Sequence, residues 1–300
     1  LSNTAVRNAI KSEFQTYVAD YHDHPAVLMW ALGNEENLFY QGNIEDWYSL
    51  ANELAADAYG IESQDYHPVA IVNADIEHVG NADKLADDDN LNYIDVWGVN
   101  SYRGFSFRDF FTSYQQLSAK PIWVSEFGAD SFHTPFPSIP ANGYEDEETQ
   151  GRYYVNNWQE IIGAQGTVGG SLMEYSDEWW KAESESYAIQ NHEGLQSRYD
   201  QPDNYANEEF WGLYKIAADP SGIDVLTPKA SVQMVQTEYT NVAQEWWNTR
   251  FEFNTENNLE GFQPVSGVNQ LNTREGSLII ETNDSNATII SPDSLQVNAA

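Results

Sequence analysis

Val27-Leu-Met-Trp-Ala-Leu32, followed at once by Gly33-Asn34-Glu35, places this chain among the α/β proteins. Six consecutive apolar residues are what a parallel strand needs when both its faces are covered. Upstream, Val6, Ile10, Phe14, Tyr17 and Val18 recur at helical spacing, and His24-Pro25 ends that helix before the apolar run begins. Downstream, strands are predicted over 69–72, 94–99, 121–124 and 170–174. Helices are predicted over 46–59, 107–117, 147–162 and 229–240. Strands alternating with helices predict a parallel sheet with covering helices.

Five strands are too few for a closed eight-stranded barrel. The chain opens inside what would be a barrel's third helix, so the expectation is a (β/α)8 TIM barrel over residues 1–244 that contains strands four to eight. Beyond Gln244 the pattern changes. Phe251-Glu-Phe, Ser277-Leu-Ile-Ile-Glu281 and Ala287-Thr-Ile-Ile290 are short strands set between Asn, Gly, Asp and Pro. Residues 245–300 therefore predict the start of a β-sandwich, read as a carbohydrate-binding module or as a plain accessory domain.

Acidic residues outnumber basic ones 47 to 13, a net charge of −34. Phosphate backbones and anionic membrane surfaces are repelled by such a chain, which excludes nucleic acid as a partner. A Lys-poor acidic surface fits work in high salt, where self-repulsion is screened, and equally an acidic secreted protein. Extracellular or cell-surface location is the expectation. The absence of Cys excludes disulfides and Cys-ligated metals. No apolar run of 18 residues predicts a membrane span. Asp87-Asp-Asp-Asn90 is an acidic run of a kind that binds calcium, but more often such a run is a solvated loop. The 10 Trp and 18 Tyr suit either sugar stacking or a large core.

Two acidic residues stand at predicted strand ends: Glu35, and Glu126 in Trp123-Val-Ser-Glu126-Phe-Gly128. Carboxylates on facing strand ends are what glycoside cleavage with retention requires, one a protonated acid and the other an ionised nucleophile roughly 5 Å away. Glu35, flanked by Trp30 and Leu32, is the candidate acid/base; a helix cap is the alternative reading. Asn34 is placed to donate to a sugar 2-hydroxyl. Glu126 is the candidate nucleophile, with Tyr102 as its phenolic donor. The alternatives are a structural pair of Glu126 with Arg103 and a Tyr102 that only packs. Glu174 ends the last predicted strand and is a candidate sugar-hydroxyl partner. In the following Ser176–Trp211 stretch, Trp179 and Trp180 are candidate stacking platforms, or else pack under a long loop. No metal or organic cofactor is expected, and the expected partner is an oligo- or polysaccharide.

His24-Pro-Ala-Val-Leu-Met-Trp-Ala-Leu-Gly-Asn-Glu35 resembles the acid/base signature of clan A glycoside hydrolases, and Ser125-Glu-Phe-Gly128 resembles that clan's nucleophile strand. The resemblance implies an eight-fold barrel with the acid/base closing strand four and the nucleophile closing strand seven. Asp95–Tyr102, Pro121–Gly128 and Gly169–Glu178 are similar to β-1,3-glucanosyltransglycosylases, although a Cys-free chain lacks the disulfides of that family. The Trp30–Glu35 pattern sits closer to family 2 enzymes such as β-galactosidases and β-glucuronidases. The leading expectation is a retaining hydrolase or transglycosylase acting on β-1,3-glucan. A family 2-type exo-β-glycosidase is the alternative, and a non-catalytic carbohydrate-binding scaffold is a further one.

Overall fold

In the computed structural model the apolar run condenses into a short strand that opens a parallel sheet. The strands of the first part of the chain are β1 (Trp30–Leu32), β2 (Val69–Ala74), β3 (Val96–Asn100), β4 (Ile122–Phe127), the short hairpin of β5 (Phe132–His133) with β6 (Tyr144–Glu145), β7 (Thr167–Leu172), and the antiparallel pairs of β8 (Leu195–Ser197) with β9 (Tyr205–Asn207) and β10 (Tyr214–Ala217) with β11 (Val225–Pro228). The sheet order is β1-β2-β3-β4-β7, all pairs parallel. The helices are α1 (Thr4–Tyr21), α2 (Glu36–Phe39), α3 (Ile44–Glu62), α4 (Phe110–Tyr114), α5 (Glu147–Gly163) and α6 (Ala230–Asn248). The structure describes residues 1–248 except 64–65, 136–137, 140–141, 182–189, 193–194 and 199. Beyond residue 248 it describes only strands between 263 and 298.

Of the three inner strands, β2 and β3 are buried almost throughout, as two-sided coverage in a parallel sheet demands. Gly98 in β3 lets Val72 and Trp123 close over it, since a Cβ there would lie 2.9 Å from Val72 Cγ2. The core gathers Trp97, Tyr48, Phe107, Phe110, Phe127 and Ile71 between sheet and helices.

β1 is shorter than the six-residue run predicts, and its burial alternates. Trp30 and Leu32 are buried, while Ala31 faces out and Leu28 is 79% exposed. As an edge strand, β1 has one neighbour and one covered face among the described residues. At the opposite edge, Val168 in β7 is 57% exposed. The predicted stripe of α1 is likewise half covered: Val18 is buried, Ile10 and Phe14 are partly buried, and Val6 and Tyr17 are exposed. Arg7 pairs with Glu53 at 2.6 Å to hold α1 on α3. α4 spans five residues rather than the eleven predicted.

Polar side chains tie down the loops beyond β4 and β7. From α5, the Tyr154 hydroxyl donates to the carbonyls of Met173 at 3.0 Å and Trp211 at 2.9 Å. Fully buried Lys229 donates to Asp177 Oδ1 at 2.7 Å, to the Ser131 hydroxyl at 3.0 Å and to the Phe210 carbonyl at 3.0 Å. Asp177 also accepts from the Gly212 N–H. Removing one partner of a buried pair strands the other charge, at about 3–5 kcal/mol. Lys229→Ala should therefore lower the denaturation free energy by that amount. A cost within the ordinary surface range of about 0.5 kcal/mol in a urea melt would show the pair to be dispensable.

The chain divides into two compact units, Leu1–Thr237 and Glu238–Ala300, with α6 running across the division seven residues before the expected boundary at 244. The second unit contains the antiparallel sheet β12-β15-β16 (Gln263–Ser266, Thr288–Ile290, Gln296–Asn298) and the antiparallel pair β13 (Val268–Arg274) with β14 (Ser277–Thr282). β14 and β15 fall on two of the predicted strands; the third, at 251–253, lies outside the described residues. No helix among the described residues is long and apolar enough to cross a membrane.

Candidate active site

The carboxyl ends of the parallel strands carry the acidic pair. After β1 the chain turns at Gly33, whose φ of +67° is one that residues with a Cβ rarely adopt. Two residues on, Glu35 also has positive φ, at 60°, and its N–H donates to the Val72 carbonyl at 3.0 Å. A non-glycine residue in this region costs on the order of 1 kcal/mol and persists where its surroundings hold it, a pattern that recurs at functional sites.

Asn100, the last residue of β3, fixes the pair. Its Nδ2 donates to Asn34 Oδ1 and to Glu35 Oε1, both at 3.0 Å, while its Oδ1 accepts from the Ser125 hydroxyl at 2.7 Å. In the β3–β4 register, Asn100 lies opposite Glu126. One amide thus stands between the two carboxylates, and its orientation is set from both sides.

Glu126 accepts from the Tyr102 hydroxyl at 2.8 Å through Oε2. Burial pushes its carboxyl above the ordinary value. The Tyr102 hydrogen bond works against that rise, the nearby Glu35 charge adds to it, and Lys181 counters it. Burial, reinforced by Glu126, holds the Tyr102 phenol far above its usual range, so it remains a donor at every working pH. Arg103, the alternative partner for Glu126, instead grips Asp75 with hydrogen bonds of 3.0 and 2.5 Å.

Glu35 and Glu126 share a cavity of about 530 Å³ with Asn34, Tyr102 and Glu174. Burial raises the Glu174 carboxyl to about 8, with Lys181 opposing and Glu178 adding to the rise. Lys181 Nζ lies 3.8 Å from Glu174 and 2.9 Å from Glu178. Burial thus favours the protonated form of Glu174, in which it can donate to a hydroxyl.

Trp179 and Trp180 are not among the residues lining this cavity, which corrects the expectation that they form its stacking face. The segment after β7 contributes Met173, Glu174 and Lys181 to the wall, and Trp180 is 51% exposed. The indole at the cavity is that of Trp211, 5.1 Å from the Tyr102 ring and with a buried N–H that has no partner among the described residues. Asn100, Trp211, Lys181 and Arg198 were not singled out from sequence. The Asn at the end of a predicted strand, two residues before Tyr102, was the one available signal.

The Asp87–Asp89 carboxylates are not gathered on a common point: Asp88 accepts from Ser118 and the Ala119 N–H, and Asp87 from Asn90. Among the described residues no group of three or more His, Asp or Glu is arranged to hold a metal ion.

No curated protein matches the chain. Solved structures similar to it include a family 2 β-galacturonidase from Eisenbergiella tayi, 15% identical with a TM-score of 0.49, the match covering 80% of this chain and 38% of that one. A β-glucuronidase from Ruminococcus gnavus is 17% identical with a TM-score of 0.46, covering 82% and 35%. A β-glucuronidase from Bacteroides uniformis is 16% identical with a TM-score of 0.46, covering 72% and 24%. The chain thus spans less than two fifths of the length of these structures. Residues 2–211 of the 300 match the TIM barrel domain of glycosyl hydrolases family 2, while the expected likeness to the β-1,3-glucanosyltransglycosylases is not shown. With more than half of its residues inside that match, the chain belongs to glycosyl hydrolase family 2.

Proposed function

We propose that this domain is a retaining exo-β-glycosidase that removes a terminal sugar, with Glu35 as acid/base and Glu126 as nucleophile. The observation that carries this reading is the Asn100 bridge, which sets two carboxylates beside one amide at the same cavity. The leading expectation of β-1,3-glucan gives way to the exo-acting alternative for two reasons. The family is that of the alternative, and the cavity is of a size suited to a small ligand, within the roughly 300–1,000 Å³ usual for such sites. The five parallel strands then serve as barrel strands four to eight.

In the first step, a Glu126 carboxylate oxygen attacks the anomeric carbon and the bond to the leaving oxygen breaks. Glu35 delivers its proton to that oxygen. Asn34, held by Asn100, is oriented toward the sugar 2-hydroxyl, and Glu174 hydrogen-bonds another hydroxyl. In the second step Glu35 takes a proton from water, the water oxygen bonds to the anomeric carbon, and Glu126 departs as a carboxylate.

Laminarin oligosaccharides and a panel of nitrophenyl β-glycosides test this reading. Monosaccharide released from the non-reducing end, with the β-anomer appearing first by proton NMR, is expected. Internal cleavage products, or the α-anomer first, would exclude exo action or retention respectively.

Because Glu126 must be ionised to attack and its carboxyl is raised by burial, kcat/KM falls on the acid side at a pH above the ordinary carboxylate range. Tyr102→Phe removes a donor that favours the ionised form, so this acid limb moves to still higher pH and activity drops about tenfold at the optimum. An acid limb that stays put or moves down in a pH–rate profile would contradict the role given to Tyr102.

A further inference from the structure

The segment between β7 and α6 returns to the cavity through the hairpin of β8 (Leu195–Ser197) and β9 (Tyr205–Asn207), which delivers Arg198 to the wall beside Tyr102. The Arg198 guanidinium carbon lies 5.1 Å from the centre of the Tyr102 ring and 5.6 Å from that of Trp211. Asp200 fixes the plane of the guanidinium, accepting from Nε at 3.1 Å and from Nη2 at 2.6 Å. The hairpin backbone closes around it, with the Arg198 N–H donating to the Asn204 carbonyl at 2.9 Å. A planar cation held in a fork and laid against two aromatic rings is a geometry that lysine does not reproduce.

We propose that Arg198 is a positioning residue for the nucleophile: it clamps the Tyr102 ring so that the phenol points at Glu126, and its charge makes that phenol a stronger donor. This rests on the reading of Glu126 as nucleophile. A cation near the ring favours the negative charge that builds on the phenol oxygen as it donates, which strengthens the 2.8 Å bond to Glu126. Glu126 is also faced by Asn100 and Tyr102 from β3 and the loop after it, by Glu35 beyond β1, and by Lys181 after β7. Arg198 in turn faces Asp200, Tyr102 and Glu208. Arg198 acts on the Tyr102 phenol, and its influence on Glu126 passes through the tyrosine hydroxyl.

That route predicts non-additivity. In the full chain, carbon-13 NMR titration of the Glu126 carboxyl needs no substrate and can be run on Arg198→Met, Tyr102→Phe and the double variant. Each single change should move the Glu126 midpoint upward, and the double variant should sit no higher than Tyr102→Phe alone. Arg198→Lys, which keeps the charge but not the fork, should recover part of the shift. With a glycoside that the unaltered protein cleaves, Arg198→Met should lower kcat about tenfold and leave KM within about twofold. The acid limb of the rate profile should follow the titration. Shifts that add in the double variant would overturn the proposal. So would an Arg198→Met variant that leaves the Glu126 titration in place and raises only KM, since Arg198 would then be a substrate contact. If the titrations behave as expected but no glycoside is cleaved, the glycosidase reading fails and what stands is the coupling of Arg198 to Glu126 through Tyr102.

Discussion

Glu126→Ala is expected to reduce turnover of a β-glycoside at least about 10⁴-fold, roughly 5 kcal/mol of transition-state stabilisation, while the fold survives. The survival follows from the surroundings. Glu126 is a buried carboxylate whose neighbour Glu35 opposes its charge, so its removal relieves a repulsion and leaves the Tyr102 hydroxyl as one unpaired donor. The space vacated lies against the anomeric carbon and admits a small anion. With an activated dinitrophenyl glycoside and azide, activity should return and the product should be the α-configured glycosyl azide, because azide attacks once, from the face that Glu126 occupied. An azide product of β configuration, or no rescue while the variant remains folded, would remove Glu126 from the nucleophile's place.

Glu35→Ala has the second largest expected effect, and its signature is different. Loss of general acid assistance costs about 10²–10⁴-fold when the leaving group is a sugar or simple alcohol, whose oxygen needs a proton as it departs. A dinitrophenolate departs without one, so formation of the glycosyl-enzyme should be nearly unimpaired and the intermediate should accumulate, because the base for the second step is also gone. Azide should then attack the intermediate directly and give a β-glycosyl azide. Equal losses for good and poor leaving groups in steady-state and burst kinetics would argue that Glu35 holds the site together without transferring a proton.

The acidic pair was legible because a run of apolar residues ending in a charge has few structural uses, and Glu35 and Glu126 both end such runs. Register supplies what composition lacks. Asn100 becomes the bridge between Asn34, Glu35 and Ser125 only once β3 pairs with β4, and a single Asn at a strand end carries no mark of that. Which indole lines the cavity is hidden in the sequence for a related reason. Residues 176–211 have no periodicity, so sequence proximity to β7 favoured Trp179 and Trp180. The chain instead returns through the β8–β9 hairpin and a bonded framework around Asp177 and Lys229 that brings Trp211 to the cavity. The burial of β2 and β3 matched their sequences closely because both strands lie inside the sheet, with a neighbour on each side. β1 did not, because whether an apolar residue is buried depends on a neighbour that its own sequence does not specify.

Mass spectrometry of the protein after reaction with a 2-deoxy-2-fluoro β-glycosyl fluoride tests the double displacement most directly. The fluorine slows the second step more than the first, so the sugar should remain esterified to the protein. The account predicts one added glycosyl group, located by peptide sequencing on Glu126. A sugar found on Glu35 or Glu174, or a protein that cleaves the parent glycoside with inversion and never acquires the label, would contradict it.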